Sequence, residues 1–181
     1  MNIENAGSNY QNPEDITMVY RAAAEKDLDA LQTLGLASYG SLKIHLTPDN
    51  WLKMESVLTS DLTFPKLVKT CHSFVCEEDS RLLGMAFLVP SGNPTKIYSR
   101  DTSYIRMVGV HPDEDGKGIA QTLTRLCIYK AKEEGEKKIS LHSAEIMYAA
   151  RHIYEKLGFK KIRLLDSHYG LEYWLYEMVL N

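Results

Sequence analysis

Residues 108–120 read VGVHPDEDGKGIA and join two different hydrophobic patterns. The preceding residues 104–110 are rich in β-forming side chains and predict a central strand that stops before Pro112. Apolar residues then recur at helical spacing, at Ile119, Leu123, Leu126 and Cys127. The stretch therefore predicts a strand, a glycine-containing turn and an amphipathic helix that ends near Gly135.

This turn has the properties of an anion-binding site. The first N–H groups of a helix lack internal partners, and the helix dipole places partial positive charge there. Gly116 and Gly118 allow the backbone to approach a ligand closely, so the turn is suited to hold phosphate oxygens.

Spacing excludes two classes of protein that bind phosphate in this way. A nucleoside-triphosphate P-loop has a glycine five residues before its Gly-Lys pair and Ser or Thr after it, whereas this chain has His111 and Gly118. A dinucleotide-binding turn counted from Gly116 needs glycine or alanine at position 121, and Gln121 stands there.

A third class fits, and a second motif supports it. Residues 115–120, DGKGIA, resemble motif A of the GNAT family of N-acetyltransferases, usually written Arg/Gln-x-x-Gly-x-Gly/Ala. About thirty residues later, residues 150–159 read ARHIYEKLGF, which is similar to the family's motif B ending in Tyr-Glu-x-x-Gly-Phe. The order of elements from residue 17 to residue 180 is also similar to that of the family.

The remaining patterns complete one α/β domain. They predict strands at residues 17–22, 71–76, 82–89, 139–142, 159–165 and 171–180, helices from Asp27, from Thr47 and up to Gly158, and a loop at 90–100. The expected fold is a mixed, mostly antiparallel central sheet of about seven strands with helices on both faces. Residues 1–15 are expected to be a flexible lead-in, and residues 16–181 the N-acetyltransferase domain.

The composition of the chain limits the classes of partner that it is expected to bind. The 181 residues are 44% hydrophobic and 25% charged, with a formal net charge of −3. There is no dense basic block, apolar run of membrane length or secretory signal, so neither nucleic acid nor a membrane is expected as a partner. Three cysteines are too few for a disulfide framework and favour a cytoplasmic protein. The histidines show no metal-binding spacing, so no metal is predicted.

The resemblance implies roles for particular residues. The backbone of Val108 and Val110 would bind the pantetheine arm of coenzyme A, as in the family. The pyrophosphate would lie at the turn and the start of the helix, at Gly116, Lys117, Gly118, Ile119, Ala120 and Gln121. The hydroxyl of Tyr154 would protonate the departing thiolate, since a phenol stays protonated at neutral pH.

Two positions depart from the family pattern, and the general base stays open. Asp115 stands where the family has Arg or Gln, and Met147 where many members have Asn. Candidates for the base are Glu77, Asp101 and His111. Aromatic residues fall in segments that line the acceptor site in relatives, namely Tyr39, Trp51, Tyr98, Tyr169, Tyr173 and Trp174.

The expected function is transfer of an acetyl group from acetyl-CoA to a small-molecule or peptide amine, by direct attack in a ternary complex. Cys127, within a predicted amphipathic helix, is not expected to act as a nucleophile. Three alternatives remain: an acyltransferase with another acyl donor, a non-catalytic coenzyme A sensor, and an interaction domain without a ligand. A homodimer through the C-terminal strands also stays open.

Overall fold

The computed structural model describes residues 18–180, so the predicted lead-in of residues 1–15 lies outside it. The strands are β1 Val19–Ala22, β2 His72–Glu78, β3 Arg81–Val89, β4 Ser103–Val110, β5 Lys138–Ala144, β6 Lys160–His168 and β7 Leu171–Val179. The helices are α1 Leu28–Tyr39, α2 Pro48–Leu58, α3 Thr63–Thr70, α4 Ile119–Glu133 and α5 Tyr148–Leu157. No helix in this part of the chain is long and apolar enough to cross a membrane.

The strands form one sheet in the order β1-β2-β3-β4-β5-β7-β6. Strands β4 and β5 pair in parallel, and every other neighbouring pair of this sheet is antiparallel. The predicted mixed, mostly antiparallel seven-stranded sheet is therefore confirmed.

The buried residues of β3 show that helices cover both faces of the sheet. Leu83, Ala86 and Leu88 pack in a core with residues of α4 and α5. Leu82, Met85 and Phe87 pack in a second core with residues of α1 and α3. Because successive side chains of a strand point to opposite faces, the two cores lie on opposite sides of the sheet, as predicted.

Local signals in the sequence place several helix ends correctly. The side chain of Thr47 caps α2 and accepts a hydrogen bond from the backbone of Asn50. Gly118 precedes α4 with φ of 78°, and Gly158 ends α5 with φ of 104°. Both glycines have the left-handed backbone conformation that residues with a Cβ rarely adopt.

Helix α3 has no counterpart among the predicted elements. It has only 8 residues, and isolated helices of that length are unstable in water. Its stability comes from tertiary packing, because Phe64 and Leu67 are buried in the core beneath α1.

Strands β4 and β5 separate soon after they meet. Within residues 18–180 their ladder consists of Ser103 with Ile139 and Tyr104 with Ser140. Further along β4, Met107 has φ of 55°, and the register with β3 shifts between Met85 and Phe87. This bulge bends β4 away from β5 and leaves the edge of β4 that faces β5 without a ladder beyond Tyr104.

Candidate active site

A cavity of about 530 Å³ opens where β4 and β5 part. Its walls come from the end of α1 with the following turn, the second half of β4, and the first residues of α4 and α5. Of the residues predicted to bind the cofactor, Val108, Val110 and Ala120 line this cavity. The predicted strand edge and the start of α4 are thus brought to one opening, whereas Gly116, Lys117, Gly118, Ile119 and Gln121 do not line the cavity.

The start of α4 presents free backbone amides at this opening. The first amide to bond back along the helix is that of Thr122, which lies 3.0 Å from the carbonyl oxygen of Gly118. The amides of residues 119–121 come before it and have no carbonyl to bond within the helix. The Ile119 side chain is buried in the core, so a contribution from Ile119 to ligand binding would come from its backbone.

There is open space beside the turn. A Cβ atom added at Gly116 or Gly118 would meet no atom of residues 18–180 within 4 Å. Both residues have positive φ, of 83° and 78°. The turn therefore combines unpaired amides with room for an anionic group, which is the property required of a pyrophosphate site.

The three acids before the turn differ in their surroundings. Glu114 lies 2.6 Å from the Lys117 ammonium and 3.6 Å from Arg81, and its hydrogen bond with Lys117 lowers the Glu114 pKa. Asp113 lies 3.9 Å from Arg81. Asp115 lines the cavity and forms no ion pair with another residue of the described part. The charge of Lys117, predicted to face the phosphates, is thus already shared with Glu114.

The side chain of Tyr154 reaches the point where the strands separate. It lines both the 530 Å³ cavity and an adjacent cavity of about 60 Å³. Tyr154 is only 6% exposed, and burial raises its pKa well above the ordinary value of a phenol. Its hydroxyl has no hydrogen-bond partner within residues 18–180. The predicted proton donor is therefore protonated, unpaired and at the junction of the two cavities.

The small cavity also contains a residue that the sequence analysis missed. His142 of β5 lines it, with Tyr39 and Tyr173. The Nδ1 atom of His142 lies 2.6 Å from the hydroxyl oxygen of Tyr98. Burial lowers the pKa of His142 to about 4, and the positive charge of Arg106 contributes to the shift. His142 is therefore uncharged at neutral pH and retains a nitrogen lone pair.

The three bases proposed from sequence lie elsewhere. Glu77 pairs with Arg21, and Asp101 lies 3.3 Å from the Lys138 ammonium. Neither these acids nor His111 line the two cavities at the β4–β5 gap. The signal that could have indicated His142 is its position on β5 between Leu141 and Ser143, where alternation aims its side chain away from the α4 core.

The six aromatic residues named above also separate into groups. Tyr39, Tyr98 and Tyr173 surround His142, either through the small cavity or through direct contact. The other three, Trp51, Tyr169 and Trp174, pack in the cores or against them. Cys127 is fully buried within α4 and its pKa is raised by burial, so its thiol is not activated.

Met147, the second departure from the family pattern, precedes α5 and lines both cavities. Its thioether offers only a weak hydrogen-bond acceptor where an Asn side chain would offer a donor and an acceptor. Contact with a ligand at this position is therefore mainly apolar.

These features can be compared with known proteins. The Acetyltransferase (GNAT) family matches residues 41–159, which include the glycine turn, His142 and Tyr154. The chain therefore belongs to this family.

Curated relatives are distant and longer. The chain is 29% identical over 119 residues to human N-acetyltransferase 8B, covering 60% of this chain and 52% of the relative. It is 28% identical over 88 residues to a mycothiol acetyltransferase of Thermomonospora curvata, covering 49% of this chain and 27% of the relative. The chain thus spans about half or less of the length of these relatives.

Solved structures match over nearly the whole fold. An N-acetyltransferase from Staphylococcus aureus Mu50 has a TM-score of 0.69 at 25% identity, covering 91% of this chain and 99% of that chain. The PaiA N-acetyltransferase of Thermoplasma acidophilum, solved in complex with coenzyme A, has a TM-score of 0.71 at 16% identity, covering 90% and 99%. At 16% identity, the similarity to the PaiA N-acetyltransferase shows a shared fold only.

Proposed function

We propose that this chain transfers an acetyl group from acetyl-CoA to an amine acceptor. The observation that carries the proposal is the position of Tyr154, which lines both the 530 Å³ cavity and the 60 Å³ cavity. In this arrangement the larger cavity holds the coenzyme and the smaller one the reacting groups.

The backbone of this chain provides the coenzyme site. The edge of β4 at Val108 and Val110 offers backbone groups to the pantetheine amides, as a neighbouring strand would. The Val108 carbonyl also accepts a hydrogen bond of 3.4 Å from the Tyr39 hydroxyl. The amides at the start of α4, Ile119 to Gln121, and the space beside Gly116 and Gly118 would hold the pyrophosphate. The coenzyme supplies the activated thioester.

Two side chains would transfer the protons in this reaction. In the reaction the amine nitrogen bonds to the acetyl carbon, the carbon–sulfur bond breaks, one proton leaves the nitrogen and one joins the sulfur. Tyr154 donates the proton to the sulfur and is reprotonated from solvent. His142 accepts the proton from the nitrogen, directly or through water.

The hydrogen bond of His142 with Tyr98 determines which nitrogen can act. If Nδ1 carries the proton and donates it to the Tyr98 oxygen, Nε2 has the free lone pair. The same bond fixes the plane of the ring, and it would stabilise the imidazolium that forms after proton transfer. His142 is thus available as a base throughout the neutral pH range.

Asp115 favours a second candidate, a coenzyme A sensor without turnover. Its unpaired carboxylate lines the cavity, and repulsion from a phosphate would weaken binding of the coenzyme. The repulsion is about 1 kcal/mol for an exposed pair, which the amides of α4 can outweigh. A different acyl donor is distinguished by a series of acyl-CoA chain lengths.

The test is a titration of acetyl-CoA by calorimetry with two matched glycine variants. Gly118 and Gly135 lie at opposite ends of α4, have φ of 78° and 75°, and each have open space around an added Cβ. Leucine at either position therefore strains the backbone to a similar degree. Only at Gly118 would the new side chain fill the proposed pyrophosphate site.

We expect saturable binding to the wild type and to Gly135→Leu, and at least tenfold weaker binding to Gly118→Leu. Release of free coenzyme A thiol with an amine panel then measures transfer. Equal affinity in the two variants would contradict the placement of the pyrophosphate at this turn. Tight binding without thiol release for any amine would favour the sensor.

A further inference from the structure

A second cavity of about 540 Å³ lies beside the site. It is bounded by α3, the loop after β3 and the part of β4 that contains Tyr104 and Arg106. It shares no lining residue with the 530 Å³ cavity assigned to the coenzyme. It is therefore a separate compartment next to the same strand.

Arg106 faces the side of the sheet on which His142 lies. Tyr104 and Ser140 are partners in the parallel ladder. Arg106 and His142 each follow two residues later on their strands, so both side chains point to the same face. The closeness is also electrostatic, because the charge of Arg106 acts on the pKa values of His142 and Tyr98.

Within residues 18–180, the charged side chains that line the second cavity are all cationic. Lys66 and Arg106 line it, and no Asp or Glu of this part of the chain does. Neither cation forms an ion pair with another residue of the described chain. Other cationic side chains of the protein form ion pairs with carboxylates. For example, Arg151 lies 2.9 Å from Glu145, and Lys130 lies 2.7 Å from Glu134.

The rest of the lining is suited to a small organic molecule. Leu67, Val89 and Tyr104 provide apolar surface, and Asn93 provides a hydrogen-bonding amide. An arginine guanidinium presents parallel N–H groups that match the two oxygens of a carboxylate. A ligand held there by a carboxylate would direct its other end along the face of the sheet on which His142 lies.

We propose that Arg106 binds a carboxylate of the acceptor in the second cavity, so that the acetylated substrate is an amine that also carries a carboxylate, as amino acids do. This inference rests on the proposed acetyltransferase function. It defines the acceptor class by its charge, with Lys66 adding a second positive charge to the same compartment.

The experiment compares acceptors that differ only by the carboxylate. The pairs are phenylalanine with phenethylamine, leucine with isoamylamine, and aminocaproate with pentylamine. Each is assayed by thiol release with saturating acetyl-CoA at constant ionic strength, and by calorimetric binding with and without coenzyme A. The proteins are the wild type, Arg106→Gln, Arg106→Lys and the matched control Arg125→Gln, which removes an exposed cation of α4 outside all of these cavities.

For at least one pair, we expect the wild type to prefer the carboxylate member by about tenfold or more in KM or Kd. Arg106→Gln should raise KM for that member by about 10- to 100-fold, the range expected for a charged hydrogen bond. It should leave the KM for the decarboxylated amine and the affinity for acetyl-CoA nearly unchanged. Arg106→Lys should recover part of the loss, and Arg125→Gln should behave as the wild type.

Two results would overturn the inference: equal use and binding of both members of every pair by the wild type, or a preference that survives in Arg106→Gln. Failure of the proposed function gives a different result, namely no binding of acetyl-CoA to the wild type. In that case the calorimetric comparison of amino acids with their decarboxylated partners, made without coenzyme A, still decides whether Arg106 binds carboxylates.

Discussion

Replacing Tyr154 by phenylalanine should reduce turnover without reducing stability. No described residue offers the hydroxyl of Tyr154 a hydrogen bond, and the residue borders two cavities, so removing the hydroxyl breaks no hydrogen bond within the described part of the chain. We expect the free energy of unfolding to change by less than about 1 kcal/mol. Loss of a general acid lowers turnover by about 10²- to 10⁴-fold, or about 3 to 5 kcal/mol in the barrier.

Tyr176 provides the opposite control. Its hydroxyl accepts a hydrogen bond from Arg151 at 2.9 Å and donates one to Glu155 at 3.2 Å, and the residue is fully buried. Tyr176→Phe leaves both charged partners without this hydroxyl, so it should destabilise the fold by about 1 to 3 kcal/mol. Tyr176 lines neither the 530 Å³ nor the 60 Å³ cavity. The turnover of Tyr176→Phe should therefore match that of the wild type at a temperature where the variant is folded.

The two variants are measured together by urea unfolding, thiol release under saturating acetyl-CoA and calorimetric binding of acetyl-CoA. The reasoning is refuted if Tyr154→Phe turns over at the wild-type rate. It is also refuted if Tyr154→Phe loses as much stability as Tyr176→Phe, since its hydroxyl would then have a structural partner.

Three further predictions concern pH, affinity and packing. Because the folded pKa of His142 is about 4 and the unfolded value about 6.5, the unfolded chain binds the additional proton and stability falls as pH drops through this interval. Between pH 7 and pH 5, the free energy of unfolding of His142→Gln should therefore fall by about 2 kcal/mol less than that of the wild type, as measured by urea unfolding. Equal decreases in the two proteins would count against a buried, neutral imidazole. Asp115→Arg should bind acetyl-CoA about tenfold more tightly in low salt, with the gain shrinking in high salt, and calorimetry showing no gain would reject repulsion by this carboxylate. Gly84→Ala would place a Cβ atom 2.5 Å from Ile119 and 2.9 Å from Leu123, so urea unfolding should show a loss of about 1 to 3 kcal/mol, and an unchanged midpoint would show that α4 can move away from β3 freely.

The features that the sequence predicted correctly depend on short-range rules. The turn at Gly116 and Gly118 could be predicted because unpaired amides at a helix start and positive φ values are properties of neighbouring residues. The same holds for the glycine that ends α5. The spacing of the two motifs was sufficient for the family, and the family implied the sheet.

The surroundings of His142 depend on long-range contacts. Tyr98 and His142 are 44 residues apart in sequence, and they meet because the loop after β3 stacks Tyr98 on Tyr104 of β4. Lys66 comes from α3, a helix too short to be predicted from its own pattern and stabilised only by packing. The pairing of Glu114 with Arg81 likewise joins separate elements.

The sequence by itself therefore determined that this chain has a strand, a glycine-containing turn and a helix, with a tyrosine further along the chain, because each of these is encoded within a few neighbouring residues. Only the tertiary structure placed His142 in the small cavity that Tyr154 also lines, and Arg106 in the second cavity. The physical reason is that the bulge at Met107 separates β4 from β5, and side chains from distant parts of the chain meet at the gap.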